Sequence, residues 1–279
     1  MGVQVIEANS RSGQSSSLEA EITALRTANL LTREQIDQYD EQGFFVVPKV
    51  FDADEVRAMI DECESILRGD YGHLYTGAVQ IDPGAPQQLK AERKISDVVE
   101  RSQTFRKYLM KEDLLLRVQD VIGPDLMLFR DILMLKPARV GSKMPWHQDS
   151  NYWPIEPTSL CSVWTALDAA TEENGCMRVV PGSHKLALIP SRDVTGRGPL
   201  EDDQVDLDAA INVPMEPGSS LFFHSRLLHG SEPNNSDKSR RAFITSFMSA
   251  RSLRTEASGD NRRRYFLACG RTYPGCVSA

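Results

Sequence analysis

The chain has 279 residues, a formal charge of −7, a pI near 5.4 and 41% hydrophobic residues. That content supports a sizeable core, and no run of about 18 apolar residues exists to span a membrane. The acidic balance argues against nucleic acid as a partner, because that affinity rests on clustered Lys and Arg; a small-molecule partner is expected instead.

Met1 to Ser17 has neither a basic start nor an apolar centre, so it reads as a disordered polar tail rather than a secretory signal or anchor. Residues 18–279 are expected to form one domain, with a helical front (18–123), a jelly-roll core (124–250) and a C-terminal segment (251–279). Thr32-Arg33-Glu34-Gln35 has the form of a capping box, and the helix it opens should run to Gln42 and stop at Gly43. Phe44 to Val47 reads as a buried strand ended by Pro48. Asp52-Ala53-Asp54-Glu55 opens a second helix, in which Val56, Met59, Ile60, Cys63, Ile66 and Leu67 recur at helical spacing before Gly69. His73 to Gln88 lacks periodicity and is expected to be a long loop that covers the site. Lys111 to Val121 predicts a further amphipathic helix, stopped by Gly123-Pro124.

Beyond that point the pattern turns to strands: Leu126 to Lys136, Met144 to Tyr152, Cys161 to Leu167, Cys176 to Val180, Ser220 to His224 and Ala242 to Met248. Short strands punctuated by turn residues suggest a double-sheet jelly roll with flanking helices. Ala187 to Asn212 is acidic, bears Gly and Pro, and reads as a second gating loop too polar for a core element. Cys63, Cys161, Cys176, Cys269 and Cys276 form no paired zinc or disulfide pattern and suit a reducing cytoplasm. Oligomeric state is not indicated.

The most informative residues are His147-Gln148-Asp149 and, 82 residues later, His229. Two imidazoles and one carboxylate can occupy one face of a six-coordinate Fe(II) and leave three positions open for chemistry. On an extended strand His147 and Asp149 point to one face and Gln148 to the other. The third ligand must come from a second, distant strand, which a closed sheet would supply.

Context strengthens the pattern. A turn, Gly141 to Trp146, feeds the first two residues, and His229 is followed by Gly230-Ser231 and a polar turn ending at Arg240-Arg241. From about Gly43 to Met248 the sequence resembles the phytanoyl-CoA dioxygenase family of Fe(II)- and 2-oxoglutarate-dependent oxygenases. The strongest blocks are Pro145 to Asp149, Val163 to Ala166, Asn174 to Lys185 and His229 to Arg240. The resemblance implies a cupin-like double-stranded β-helix in which His147, Asp149 and His229 bind iron. It further implies that Arg240 and Ser231 hold the distal carboxylate of 2-oxoglutarate, that Trp164 lies beside this cosubstrate and that Lys94 contacts its other carboxylate. The implied reaction consumes O2, releases succinate and CO2, and hydroxylates a C–H bond of a small metabolite. Because halogenating relatives lack the carboxylate ligand, Asp149 favours hydroxylation, although desaturation, cyclisation and epimerisation begin from the same hydrogen abstraction. Cys276 to Ala279 does not read as a peroxisomal address, which favours a natural product or other small metabolite over an acyl-CoA.

Two other readings remain open at this point: a cupin-like Mn or Zn isomerase or hydrolase, and a silent binding protein of the same fold. Arg240 and Ser231 speak against the first and the intact triad against the second. Arg241 alternates to the opposite strand face and is expected to be structural. His184 and His224 have no carboxylate two residues away. His73 reads as solvated or substrate-facing. Arg262-Arg263-Arg264, with Arg251, Arg254 and Arg271, reads as a solvated face. The glycines of Asn174 to Lys185 suit a backbone of positive φ.

Overall fold

The computed structural model describes residues 15–83, 91–193, 195–255 and 265–278. Its strands are β1 (Phe44–Val47), β2 (Val79–Ile81), β3 (Glu92–Ser96), β4 (Leu126–Lys136), β5 (Met144–His147), β6 (Ile155–Glu156), β7 (Cys161–Ala166), β8 (Met177–Val179), β9 (Ile211–Val213), β10 (Ser220–His224), β11 (His229–Ser231), β12 (Arg240–Ser249), β13 (Leu253–Arg254) and β14 (Phe266–Cys269). The larger sheet runs β1-β10-β7-β12-β4-β3-β2, with β14 also on β4, and the smaller runs β5-β11-β8-β9. The two antiparallel sheets make the expected jelly roll.

Strand alternation divides the larger sheet into two apolar faces. On β7 and β12, Val163, Phe243 and Phe247 point outward into a core shared with the helices. Trp164, Ala166 and Ala242 point inward to a second core, between the sheets. β4 is buried along nearly its whole length, which explains why it reads as one continuous apolar run instead of an alternation.

The three helices expected from the sequence, beginning near Thr32, Asp52 and Lys111, all form, and three more accompany them among the described residues. After α1 (residues 15–24), α2 (Arg33–Gln42) and α3 (Ala53–Arg68) each start at a complete capping box, built on Thr32 and Asp52. Each ends at a left-handed glycine, Gly43 at φ 84° and Gly69 at φ 82°. Val56, Met59, Cys63 and Ile66 are the buried stripe of α3. α4 (Val98–Arg101) and α5 (Gln103–Leu109) come next, and α6 (Glu112–Ile122) ends at Gly123. Gly175 and Gly182 both take φ 78°, one in the turn before β8 and one in the turn after it. None of the described helices is long and apolar enough to cross a membrane.

Several expectations need correction. Residues 15–17 are helical; the rest of the expected tail, residues 1–14, lies outside the described residues. In the front third the expected strand forms as β1, and two further strands, β2 and β3, join the larger sheet beside it. The expected loop from His73 contains a 3-10 turn (Gly72–Tyr75) and β2, which pairs with β3; residues 84–88 lie outside the described residues. The Ala187 to Asn212 stretch is not excluded from the core. Leu200 and Val205 are buried with Trp146, Val180 and Leu228, and the Leu200 N–H donates to the Trp146 carbonyl at 2.8 Å. A few well-placed apolar side chains anchor a segment whose average composition is polar.

Asp131 ties β4 to the start of α4, its Oδ1 accepting the Val99 N–H at 2.8 Å. Burial pushes this carboxyl up to about 6, against the opposing pull of that N–H. A raised folded-state value means a contribution that is complete below about pH 4 and lost as pH rises through about 6. Asp131→Asn should therefore gain about 3 kcal/mol relative to the native chain above pH 7, read from urea midpoints at pH 4 and 7.5. An unchanged pH dependence of the midpoint would contradict this.

Candidate active site

A cavity of about 500 Å³ opens between the two sheets. Its floor comes from inward residues of the larger sheet: Lys94 on β3, Arg130, Ile132 and Met134 on β4, Trp164 on β7, Phe223 on β10, and Arg240, Ile244 and Ser246 on β12. The smaller sheet contributes Met144, His147, Met177, His229 and Ser231. All seven site residues singled out in the sequence, His147, Asp149, Trp164, His229, Ser231, Arg240 and Lys94, line this one cavity.

β5 and β11 pair directly, with His147 opposite His229. The His147 Nε2 lies 3.8 Å from Asp149 Oδ1, and the His229 Nε2 lies 4.0 Å from the same oxygen. One donor atom from each residue falls within 4.8 Å of the others, the only such group among the described residues. A single ion could touch all three after small side-chain rotations.

One detail differs from the sequence reading: β5 ends at His147, and Asp149 begins a 3-10 turn (Asp149–Asn151) rather than continuing a strand to Tyr152. Ser150 draws the chain away, with its N–H on the Ser225 carbonyl at 3.0 Å and its Oγ on Ser225 Oγ at 2.7 Å. Alternation survives because Gln148 remains extended at φ −113°, ψ 123°. Its buried side chain points away from the cavity, donating to the Arg226 carbonyl and accepting the Ile189 N–H, each at 2.8 Å.

Both imidazoles are set up as ligands. The His147 Nδ1 faces the Pro145 carbonyl at 2.8 Å and the His229 Nδ1 faces the Leu227 carbonyl at 2.9 Å. A carbonyl can only accept, so each Nδ1 carries the hydrogen and each Nε2 keeps its lone pair toward the cavity. Burial, reinforced by His229 nearby, lowers the His147 pKa to about 4, which keeps the ring neutral. Asp149 Oδ2 accepts a hydrogen bond from Ser162 Oγ at 3.2 Å, and Ser162 is bridged to Ser246 Oγ at 2.9 Å.

Arg240 is 2% exposed, and its Nε has no hydrogen-bond partner among the described residues. Its guanidinium lies over the Trp164 ring, 5.2 Å from the centroid. Burial lowers its pKa to about 10, which still leaves it charged at neutral pH. A buried cation without a paired carboxylate is costly, and the missing counter-charge is what a ligand carboxylate would provide. Lys94 is half-buried in the same wall, its pKa pulled down to about 8 by burial and then by the charge of Arg130.

The other candidates lie elsewhere. Arg241 faces outward, bidentate on Asp168 at 2.8 Å and reaching Glu64 at 2.9 Å, a structural clasp to α3. His184 and His224 lie 5.2 Å apart in the interior with their rings tilted at 45°, and His184 Nε2 is 3.2 Å from the Asp40 carbonyl. His73 is exposed. Arg262 to Arg264 lie outside the described residues. Sequence reasoning missed Ser162, Arg93 and Arg130. Ser162 shares the inward parity of Trp164, and Arg130 is a cation in the middle of a largely apolar strand; both signals were present.

A family model described as phytanoyl-CoA dioxygenase matches residues 39–242. The chain belongs to the phytanoyl-CoA dioxygenase family. As a member of that family it is an Fe(II)- and 2-oxoglutarate-dependent dioxygenase, and the two-histidine, one-carboxylate cluster suits that metal. The human peroxisomal phytanoyl-CoA dioxygenase (Homo sapiens) is 32% identical over 80% of this chain and 70% of its own length. The fold matches EctD from S. alaskensis with a TM-score of 0.74 at 21% identity, covering 90% of this chain and 88% of that one. It also matches the epimerase SnoN, solved with Fe3+, alpha ketoglutarate and nogalamycin RO, with a TM-score of 0.67 at 23% identity, over 85% and 95% of the two chains.

Within this family site, Ser162→Ala should weaken metal binding about tenfold by freeing the Asp149 carboxylate, with the fold retained. Equilibrium dialysis with Fe(II) or Ni(II) checks this; an unchanged affinity would show that Ser162 does not orient Asp149.

Proposed function

We propose that this dioxygenase hydroxylates an unactivated C–H bond of a small metabolite, in natural-product metabolism, with release of succinate and CO2. In this reading the Nε2 atoms of His147 and His229 and the carboxylate of Asp149 hold Fe(II). The observation that carries the proposal is the buried guanidinium of Arg240, aimed into the same cavity as the triad with no carboxylate paired to it among the described residues. A metal isomerase or hydrolase has no use for such a group, whereas a dicarboxylate cosubstrate needs it.

Arg240 binds the distal carboxylate of 2-oxoglutarate, because a planar fork holds two oxygens at once. Ser231, buried on β11, adds a hydroxyl donor, and Trp164 fixes the guanidinium plane from beneath. Lys94 offers its ammonium to the cosubstrate's other carboxylate. When bound, iron, 2-oxoglutarate and O2 together supply the oxidant that breaks the C–H bond. The chain's own contribution is placement. Its apolar wall of Ile132, Phe223 and Ile244 excludes water, and the fixed substrate pose decides which hydrogen is removed.

Anaerobic addition of Fe(II) and 2-oxoglutarate should give a weak visible absorption band at roughly 500 nm, as expected for this ligand set. Candidate metabolites are then screened for stimulation of succinate release. Metal binding without the band would favour a metal enzyme that does not use 2-oxoglutarate, and no metal uptake would favour a silent binding protein.

A further inference from the structure

Arg240 and Ser231 sit on different sheets, and one buried side chain ties their backbones together. Lys136, the last residue of β4, stands directly opposite Arg240 on β12 and shares its face of the sheet. It is 3% exposed, and among the described residues no carboxylate lies within ion-pair distance of its amino group. The Nζ donates instead to two backbone carbonyls, that of Ser142 at 2.8 Å and that of Glu232. Burial, reinforced by the charges of Arg240 and Arg93 and opposed by Asp82 and Glu232, pulls its pKa down to about 7. Charged or neutral, the group keeps enough N–H donors for both carbonyls.

Those carbonyls belong to the segments that carry the smaller sheet. Glu232 follows Ser231 along the chain, and Ser142 lies two residues before Met144, the strand partner of Ser231. Lys136 thus fastens β5 and β11 to the end of β4, beside Arg240. The surroundings are shaped to receive the amino group. A Cβ on Gly175, at φ 78°, would run into the Glu232 carbonyl and lie 3.1 Å from Lys136 Nζ. Asp82 holds Ser142 as well, accepting its N–H at 2.9 Å and its hydroxyl. Asn234 completes the knot, its Nδ2 on the Lys136 carbonyl at 2.9 Å and its N–H on the Gly141 carbonyl at 2.8 Å. The Glu232 carboxylate is engaged elsewhere, with Arg178 at 2.8 Å. An apolar side chain of equal length would fill this space without the cost of burying an amino group, so the effect of that group lies in what it holds in place.

We infer that Lys136 is a positioning residue for the cosubstrate: by pinning the backbone beside Ser231 and beside its strand partner, it fixes the Ser231 hydroxyl relative to the Arg240 guanidinium, so that both reach one carboxylate. This rests on the proposed role of Arg240 and Ser231 as the clamp on the distal carboxylate of 2-oxoglutarate. Lys136 acts through those two residues and not by contact with the ligand.

The test is calorimetric titration of Ni(II)-loaded protein with 2-oxoglutarate and with 2-oxopentanoate, which lacks the distal carboxylate. Lys136→Met keeps the length of the side chain and removes the donors. It should weaken 2-oxoglutarate by at least about tenfold, while 2-oxopentanoate and Ni(II) affinities change less than about twofold. Ser231→Ala should weaken 2-oxoglutarate in the native chain but cost less than about twofold more in the Lys136→Met chain, where the hydroxyl is already misplaced. If Lys136→Met lacks a cooperative thermal transition, Lys136→Gln, which keeps a shorter donor, is put through the same comparisons with a loss of at least about threefold expected. The inference is overturned if 2-oxoglutarate affinity is unchanged, if the metal or both oxo acids weaken alike, as general loosening would produce, or if the two substitutions act additively. Arg240→Gln in the same assay separates the two claims. Loss of 2-oxoglutarate affinity there, with none in Lys136→Met, sinks the positioning role alone, whereas no loss in Arg240→Gln refutes the clamp and this inference with it.

Discussion

Asp149→Ala should reduce product formation by at least about a thousandfold, the scale of losing roughly 4 kcal/mol of transition-state stabilisation. The carboxylate is the only anionic member of the triad, and both imidazole nitrogens lie about its Oδ1, at 3.8 and 4.0 Å. Without it the site keeps two neutral rings, loses the charge that offsets the metal, and gains a coordination position that water can fill. Fe(II) affinity should fall in parallel, while the fold persists because Asp149 sits at a turn. The measurement is succinate and hydroxylated product per enzyme, at saturating Fe(II). Turnover within tenfold of the native enzyme would remove Asp149 from the ligand set.

Arg240→Gln should raise the KM for 2-oxoglutarate about a hundredfold, since truncating one member of a buried, charge-assisted pair costs about 2 to 5 kcal/mol. The Fe(II) requirement should change less than twofold, because Arg240 touches Trp164 and not the triad. The same substitution removes a buried cation whose Nε lacks a partner among the described residues, so the ligand-free protein should not lose stability through that charge. Thermal stabilisation by 2-oxoglutarate, present in the native protein, should largely vanish. Equal losses for metal and cosubstrate would mean that Arg240 supports the whole cavity rather than one carboxylate.

Much of this site can be read from sequence because its parts follow strand alternation. Ser162 and Trp164 on β7, and Arg240 and Ile244 on β12, occupy inward positions by parity alone, and Arg241 falls outside by the same rule. The capping boxes at Thr32 and Asp52 mark helix starts because the reciprocal bonds are local. What escaped was decided by distant partners. Asp149 leaves the strand because Ser150 meets Ser225, 75 residues away in sequence. β3 forms because β4 offers it an edge and β2 because β3 offers the next, not because Val79 to Ile81 or Glu92 to Ser96 has a strong pattern of its own. Leu200 and Val205 become core because Trp146 and Leu228 supply a surface that composition cannot reveal.

A crystal structure of the anaerobic protein with Fe(II) and 2-oxoglutarate should show His147 Nε2, Asp149 and His229 Nε2 on one face of a single ion, each at about 2.1 Å, with Arg240 forked on the distal carboxylate. An ion elsewhere, a fourth protein ligand closing the coordination sphere, or 2-oxoglutarate bound away from Arg240 would contradict this.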